Sequence, residues 1–155
     1  MEKQSLARSL KEHSLVHGLL DGHIEFLSGC ARNMRITAGR FLFREGNAAD
    51  ELYLVRSGKI ALEVHDGARG PVVLETVGEN DALGWAALNP PYRWSLDARA
   101  VEPTLLFAIN GVCLRQKLEA DHSFGYVFTK RLMNEIHERL ERVRLQALDV
   151  YRVRS

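Results

Sequence analysis

The feature that most constrains the fold of this chain is a change of hydrophobic period along it. Between residues 34 and 109 the apolar positions recur every second residue: Ile60, Leu62 and Val64 alternate with Lys59, Glu63 and His65, and Leu96, Ala98 and Ala100 with Ser95, Asp97 and Arg99. Side chains of a strand point to opposite faces in turn, so this pattern describes strands with one face toward a core. Gly39, Gly46, Gly58, Gly67, Gly78 and Gly84 interrupt it at fairly even intervals. Ser57-Gly58 and Asp66-Gly67 supply residues that tolerate positive φ, as tight turns between antiparallel strands require. About seven or eight short strands are expected, closed into a small roll or barrel.

On either side the period is helical. Leu6, Leu10, Leu15, Val16, Leu19, Leu20, Ile24, Phe26 and Leu27 fall at helical spacings, broken by Gly18 and Gly22, which predicts short helices over residues 1–30 with Asp21 as the N-cap of the second. After Ile109, Asn110 can cap a short helix through Leu118. Asp121 or Ser123 can cap a second that runs to about Tyr151. The chain is therefore expected to be a single α+β domain over residues 1–155: N-terminal helices 1–30, an antiparallel, jelly-roll-like β-roll 33–109, and C-terminal helices 110–151.

Within the long helix, Ile136, Leu140, Val143, Ala147 and Val150 step by four, three, four and three. Glu135, Glu138, Arg139, Glu141, Arg142 and Arg144 flank the stripe with both signs of charge. A heptad seam of this width suits one partner helix, so Ile136, Leu140, Val143 and Ala147 are expected at a homodimer interface; the alternative is that the stripe packs on its own barrel.

With 21 Lys+Arg against 20 Asp+Glu, the formal charge is +1, and no global field draws the protein to nucleic acid or an anionic membrane. No run is long enough to span a bilayer and the first residues lack the apolar core of a signal peptide, so a cytoplasmic location is expected. Cys30 and Cys113 lie far apart, outside any metal-ligand spacing, and are expected to be reduced, mostly buried thiols. Of His13, His17, His23, His65, His122 and His137 only His65 falls among the strands, so a metal-binding barrel enzyme lacks its ligands. Neither cysteine has a histidine nearby and Ser95 lacks the glycines of a nucleophile elbow. No catalytic residue, metal or cofactor is expected.

The segment from Phe41 to Ile60, with Glu45-Gly46, then Asp50, then Leu52-Tyr53-Leu54, then Gly58 opening the next strand, resembles the cyclic-nucleotide-binding domain family, the sensor halves of catabolite-activator-type regulators, kinase regulatory subunits and gated channels. The resemblance covers about residues 15–150. It implies a β-roll, an adjoining helical pair, a long dimerisation helix and a cyclic nucleotide, cyclic AMP or cyclic GMP, as the possible ligand. It places the phosphate loop at Leu83-Gly84-Trp85-Ala86-Ala87-Leu88. Gly84 lets a ligand approach the backbone, and Trp85, Ala86 and Ala87 would offer amides to an anion.

Two of the family's contacts are replaced. Its ribose-binding Glu follows the Gly, where this chain has Trp85; its phosphate-binding Arg falls, without gaps, on Trp94, with Arg93 one residue away and Ser95 at a hydroxyl position. Arg93 substitutes only if the chain bulges there or if it lies in the loop before the strand. Charge-assisted hydrogen bonds contribute about 1.5–3 kcal/mol each, so affinity for an ordinary cyclic nucleotide is expected to fall by orders of magnitude. Trp85, Tyr92 and Trp94 either fill the vacated space or stack on a planar ligand. Two functions remain: a small-molecule sensor whose long helix is read by an effector protein, and a degenerate module that serves dimerisation or docking. The family's DNA-binding members carry a helix-turn-helix after the long helix, whereas this sequence stops at Ser155, so direct DNA binding is not expected.

Overall fold

Two strands without any alternation organise the molecule. Leu52-Tyr53-Leu54-Val55 and Leu105-Leu106-Phe107-Ala108-Ile109 are nearly continuous apolar runs, because the sheet they share is covered on both faces. In the computed structural model, which describes residues 2–154, the elements are α1 (Glu2–Leu10), α2 (Asp21–Ser28), β1 (Ala31–Ile36), β2 (Phe41–Phe43), β3 (Glu51–Ser57), β4 (Ile60–Asp66), β5 (Gly70–Val77), β6 (Ala82–Leu83), β7 (Asp97–Ala100), β8 (Thr104–Asn110), α3 (Gly111–Ala120) and α4 (His122–Arg154), with a 3-10 turn at Trp85–Leu88. One antiparallel sheet has the order β1-β8-β3-β6, the other β2-β7-β4-β5. The antiparallel roll expected from the period is present, at Ala31–Asn110.

Leu52, Leu54, Phe107 and Ile109 face outward into the helices, where they pack with Leu10, Val16, Ile24, Leu27, Leu114, Phe124, Phe128 and Leu132. Tyr53, Val55, Leu106 and Ala108 face inward with Ile36, Phe43, Ile60, Leu62, Val77, Leu83, Trp94, Ala98 and Ala100. One sheet therefore serves two cores. Full burial of a Leu or Phe side chain contributes about 1.5–3 kcal/mol, so the helical layer is an integral part of the roll.

Several local expectations change. Asp21 is the first residue of α2 and Leu20 occupies the cap position, with no side-chain cap bond; Asp21 instead pairs with Lys11 at 3.0 Å. Asn110 does cap α3, accepting from the Cys113 amide, and Asp121 accepts from the Phe124 amide at the start of α4. In the β4–β5 hairpin the positive φ falls on Gly70 and not on Gly67. Gly58, at φ +101°, could not carry a side chain: a Cβ would sit 2.4 Å from Thr104 Oγ1 and 2.7 Å from Pro103 O.

The cysteines are the main correction. Cys30 and Cys113 form a disulfide, with Cα atoms 5.6 Å apart across a separation of 83 residues. Pairing of β1 with β8 sets Ala31 opposite Ile109, and that brings the residue before β1 beside the first turn of α3. Sequence distance hid this proximity. The expectation of reduced thiols, one support for a cytoplasmic location, is thereby removed.

Beyond Arg139 most of α4 is exposed. Ile136 is half-buried against the helical core and Val143 is half-buried, whereas Leu140, Ala147 and Val150 are exposed. Tyr126 and Met133, also exposed, continue the Leu140 and Ala147 positions backward by sevens. Among the described residues no helix is long and apolar enough to cross a membrane.

Candidate functional site

β6 is two residues long and pairs Leu83 with Tyr53 and Ala82 with Leu54, which delivers the chain into a turn at Gly84. Gly84 has φ +88° and opens the 3-10 turn Trp85–Leu88. The turn is crowded. A Cβ on Gly84 would lie 3.1 Å from Glu51 O, 3.2 Å from Tyr53 Cδ2 and 3.2 Å from Trp94 Cη2, so the Trp94 ring sits directly on the glycine.

Trp94 is held there from both sides. Its N–H donates to Asn47 O at 3.0 Å and its carbonyl accepts from Gly46 N–H at 2.8 Å, tying it to the turn after β2. Its ring stacks on Phe43 with centroids 3.8 Å apart and planes at 11°, and approaches Tyr53 at 6.4 Å. Only 6% of Trp94 is exposed. Burial, with the Glu51 carboxylate nearby, pushes the Tyr53 phenol up, so it is neutral throughout the physiological range.

What remains is a cavity of ≈ 80 Å³ with Phe43, Leu62, Leu83, Gly84, Trp85, Ala86, Trp94, Ser95, Leu96 and Arg139 in its wall. Ligand sites for drug-sized molecules occupy about 300–1,000 Å³, so the space beside Trp94 is small by comparison.

The other expected site residues separate. Arg93 lies in the loop before β7, one of the two conditions under which it could replace the missing arginine, yet its side chain is exposed and Nη1 donates to Gly46 O at 3.0 Å. It closes the turn after β2. Ser95 is exposed at the cavity rim, Ala86 is half-buried in the wall, and Ala87 is fully buried with its carbonyl accepting from Arg115. Tyr92 stands apart from the two tryptophans, beneath the Arg115 guanidinium at 4.1 Å. Trp85 is half-buried, with the Arg139 guanidinium 5.1 Å from its ring.

Arg139 is the residue that sequence reasoning missed. Taken as one of the charges flanking a seam, it is 3% exposed and reaches the cavity from α4. A signal was available: Phe124, Phe128, Leu132, Ile136 and Arg139 follow at steps of four, four, four and three, so Arg139 continues the inward face of the helix. No cluster of His, Cys, Asp and Glu able to hold a metal occurs among the described residues.

The family model for the cyclic nucleotide-binding domain matches residues 33–121, more than half of the chain and nearly the whole of the site. The chain belongs to this family. An uncharacterized protein of Mycobacterium tuberculosis is 31% identical over 90 residues, 58% of this chain, which spans only 17% of that relative's length. A cyclic nucleotide-binding domain from Methylobacillus flagellatus superposes with a TM-score of 0.79 over 96% of this chain and 83% of its own, at 17% identity. The sensor domain of the transcriptional regulator DNR from Pseudomonas aeruginosa does so with a TM-score of 0.71 over 91% and 95%, at 20% identity. At such identities the structural matches speak for the fold.

Proposed function

We propose that this cyclic nucleotide-binding domain is a non-enzymatic regulatory sensor module whose nucleotide cavity is closed from within, so that cyclic AMP and cyclic GMP bind more weakly than tens of micromolar. The observation that carries this reading is the position of Trp94: stacked on Phe43 and resting on Gly84, it occupies the space above the phosphate loop. The guanidinium that the family places at this position is absent, and Arg93 is engaged elsewhere. Two charge-assisted hydrogen bonds fewer, at about 1.5–3 kcal/mol each, correspond to roughly two to four orders of magnitude in affinity.

The output surface of this reading is α4. Tyr126, Met133, Leu140 and Ala147 recur at intervals of seven on its exposed side, with Val143 and Val150 three residues after the last two, and a second copy of the helix laid against them would give a homodimer. An effector protein would then read the position of the paired helices. The module reaches its target through protein contact.

Titration of the purified protein with cyclic AMP, cyclic GMP and cyclic dinucleotides, followed by the fluorescence of Trp85 and Trp94, tests the closed cavity. The expected result is no saturable change below tens of micromolar. A saturating change at submicromolar cyclic nucleotide would refute it.

A further inference from the structure

The cavity wall is mostly apolar, with Ser95 at its rim and one buried cation, Arg139, in its lining. Arg139 Nε and Nη2 donate to the two carboxylate oxygens of Glu75 on β5, with Nη2 to Oε2 at 3.1 Å, and Nη1 donates to Ala82 O. A guanidinium has five N–H donors, and these bonds engage three, so one remains on each terminal nitrogen. Phe43, Leu62, Leu83, Leu96 and the two indoles supply most of the apolar wall.

Size and chemistry together define what fits. A cavity of ≈ 80 Å³ suits a group of a few heavy atoms better than a nucleotide. Apolar walls favour a short hydrocarbon tail, and a guanidinium fork favours a carboxylate head. The protein already presents such a group to this cation, since the side chain of Glu75 is in effect a tethered propionate on the same fork.

We propose that the cavity receives a short-chain monocarboxylate, its head on the remaining N–H groups of Arg139 and its tail against Leu62, Leu83 and Leu96, with Glu75 as an internal competitor that sets the affinity. This rests on the reading of the chain as a sensor closed to cyclic nucleotides, and it names the ligand class of the same cavity. The signal has a direct path to α4. Ala82 lies two residues before Gly84, and α4 holds both of its backbone groups: Arg139 takes the carbonyl, and Glu135 Oε1 accepts the N–H at 3.1 Å. Glu135 is also 3.9 Å from Arg139 Nη1. A carboxylate that draws the guanidinium into the cavity loosens this two-point grip, and with it the seating of α4 on β6.

The experiment is calorimetric titration of the full chain with sodium butyrate at constant ionic strength, with butylamine as a control of equal tail length and opposite charge. Glu75→Gln keeps the shape and removes the competing charge, so butyrate should bind it at least about tenfold tighter than the wild type, while butylamine binds neither. Arg139→Lys keeps the cation and loses the fork, and should lose the binding; circular dichroism establishes that it is folded, and the double variant Glu75→Gln/Arg139→Gln, which removes both charges of the buried pair, serves if it is not. Butyrate binding to Glu75→Gln with none to the wild type would show that the native cavity is closed to carboxylates by its own Glu75, and would overturn the proposal. Absence of binding in both wild type and Glu75→Gln, or equal binding after loss of Arg139, would overturn it. A parallel titration with cyclic AMP separates the two readings: tight cyclic AMP binding removes the closed-cavity account whatever butyrate does, and a negative butyrate result beside negative cyclic AMP removes only the carboxylate.

Discussion

Replacing Trp94 with alanine removes the side chain on which the closed cavity depends. The ring is 6% exposed, lies 3.8 Å above Phe43 and touches Gly84, so little of its volume can be recovered by collapse of neighbours that are themselves packed in the barrel core. Truncating a buried aromatic residue to alanine costs about 3–5 kcal/mol, the lost transfer energy plus the void left behind. For a domain of 150–250 residues each kcal/mol shifts the melting temperature by about 2–4 °C, so a drop of about 6–20 °C is expected. Thermal melting by circular dichroism measures this, and urea unfolding gives the free energy independently. The enlarged cavity should then accept indole: saturating indole should raise the melting temperature of Trp94→Ala and leave the wild type unchanged, because a ligand that binds only the folded state stabilises it in proportion to occupancy. A loss below about 1 kcal/mol, as for an ordinary surface substitution, would mean that Trp94 does not fill the cavity.

Three further outcomes follow from the same geometry. His13 is buried, its Nδ1 accepts from the Leu15 N–H, and its Nε2 therefore carries the proton and bonds Asp81 O; burial holds its pKa below the ordinary 6.5, so the unfolded chain takes up a proton that the folded one refuses, and stability should fall as pH drops below about 6.5 and be insensitive to this group above it. His13→Gln should flatten that slope between pH 7.5 and 5.5 in urea midpoints, and identical slopes would rule the assignment out. Leu140→Glu should convert the dimer proposed along α4 to monomer in sedimentation at micromolar concentration, whereas a wild type that is already monomeric there would return the stripe to a role within one chain. Reducing Cys30–Cys113 opens a loop whose closure entropy in the chain model is about 4–5 kcal/mol, so dithiothreitol should lower the urea midpoint substantially, and an unchanged midpoint would count against the crosslink.

The order of helices and strands was readable because period and turn chemistry are local. Ile60 and Leu62 face the barrel and Asn110 caps α3, as their sequence contexts require. β3 and β8 were harder, since burial on both faces erases the alternation that marks a strand. The position of the phosphate-loop glycine was also legible, through the positive φ and close approach that only glycine tolerates. What the sequence left open depended on contacts between distant segments. Trp94 could fill the cavity or stack on a ligand, and its stacking on Phe43, fifty-one positions earlier, is a contact that no local pattern announces. Glu63 looked like an outward strand residue, yet it is 3% exposed because Arg99 on β7 covers it with a two-pronged ion pair. Arg139 was hidden by its charge, since a buried arginine is explained only when its carboxylate partner, Glu75, is seen beside it.

The central claim is that this family member has given up its cyclic nucleotide at Trp85 and Trp94. Calorimetric titration of cyclic AMP into the wild type, into Arg93→Ala and into the double variant Trp85→Glu/Trp94→Arg tests it most directly. Position 94 faces Gly84, so an arginine there reaches the phosphate loop, and position 85 lines the same cavity. The account predicts binding weaker than tens of micromolar in the wild type, no change in Arg93→Ala, and measurable tightening in the double variant. Submicromolar cyclic AMP binding by the wild type, unaffected by Arg93→Ala, would contradict it.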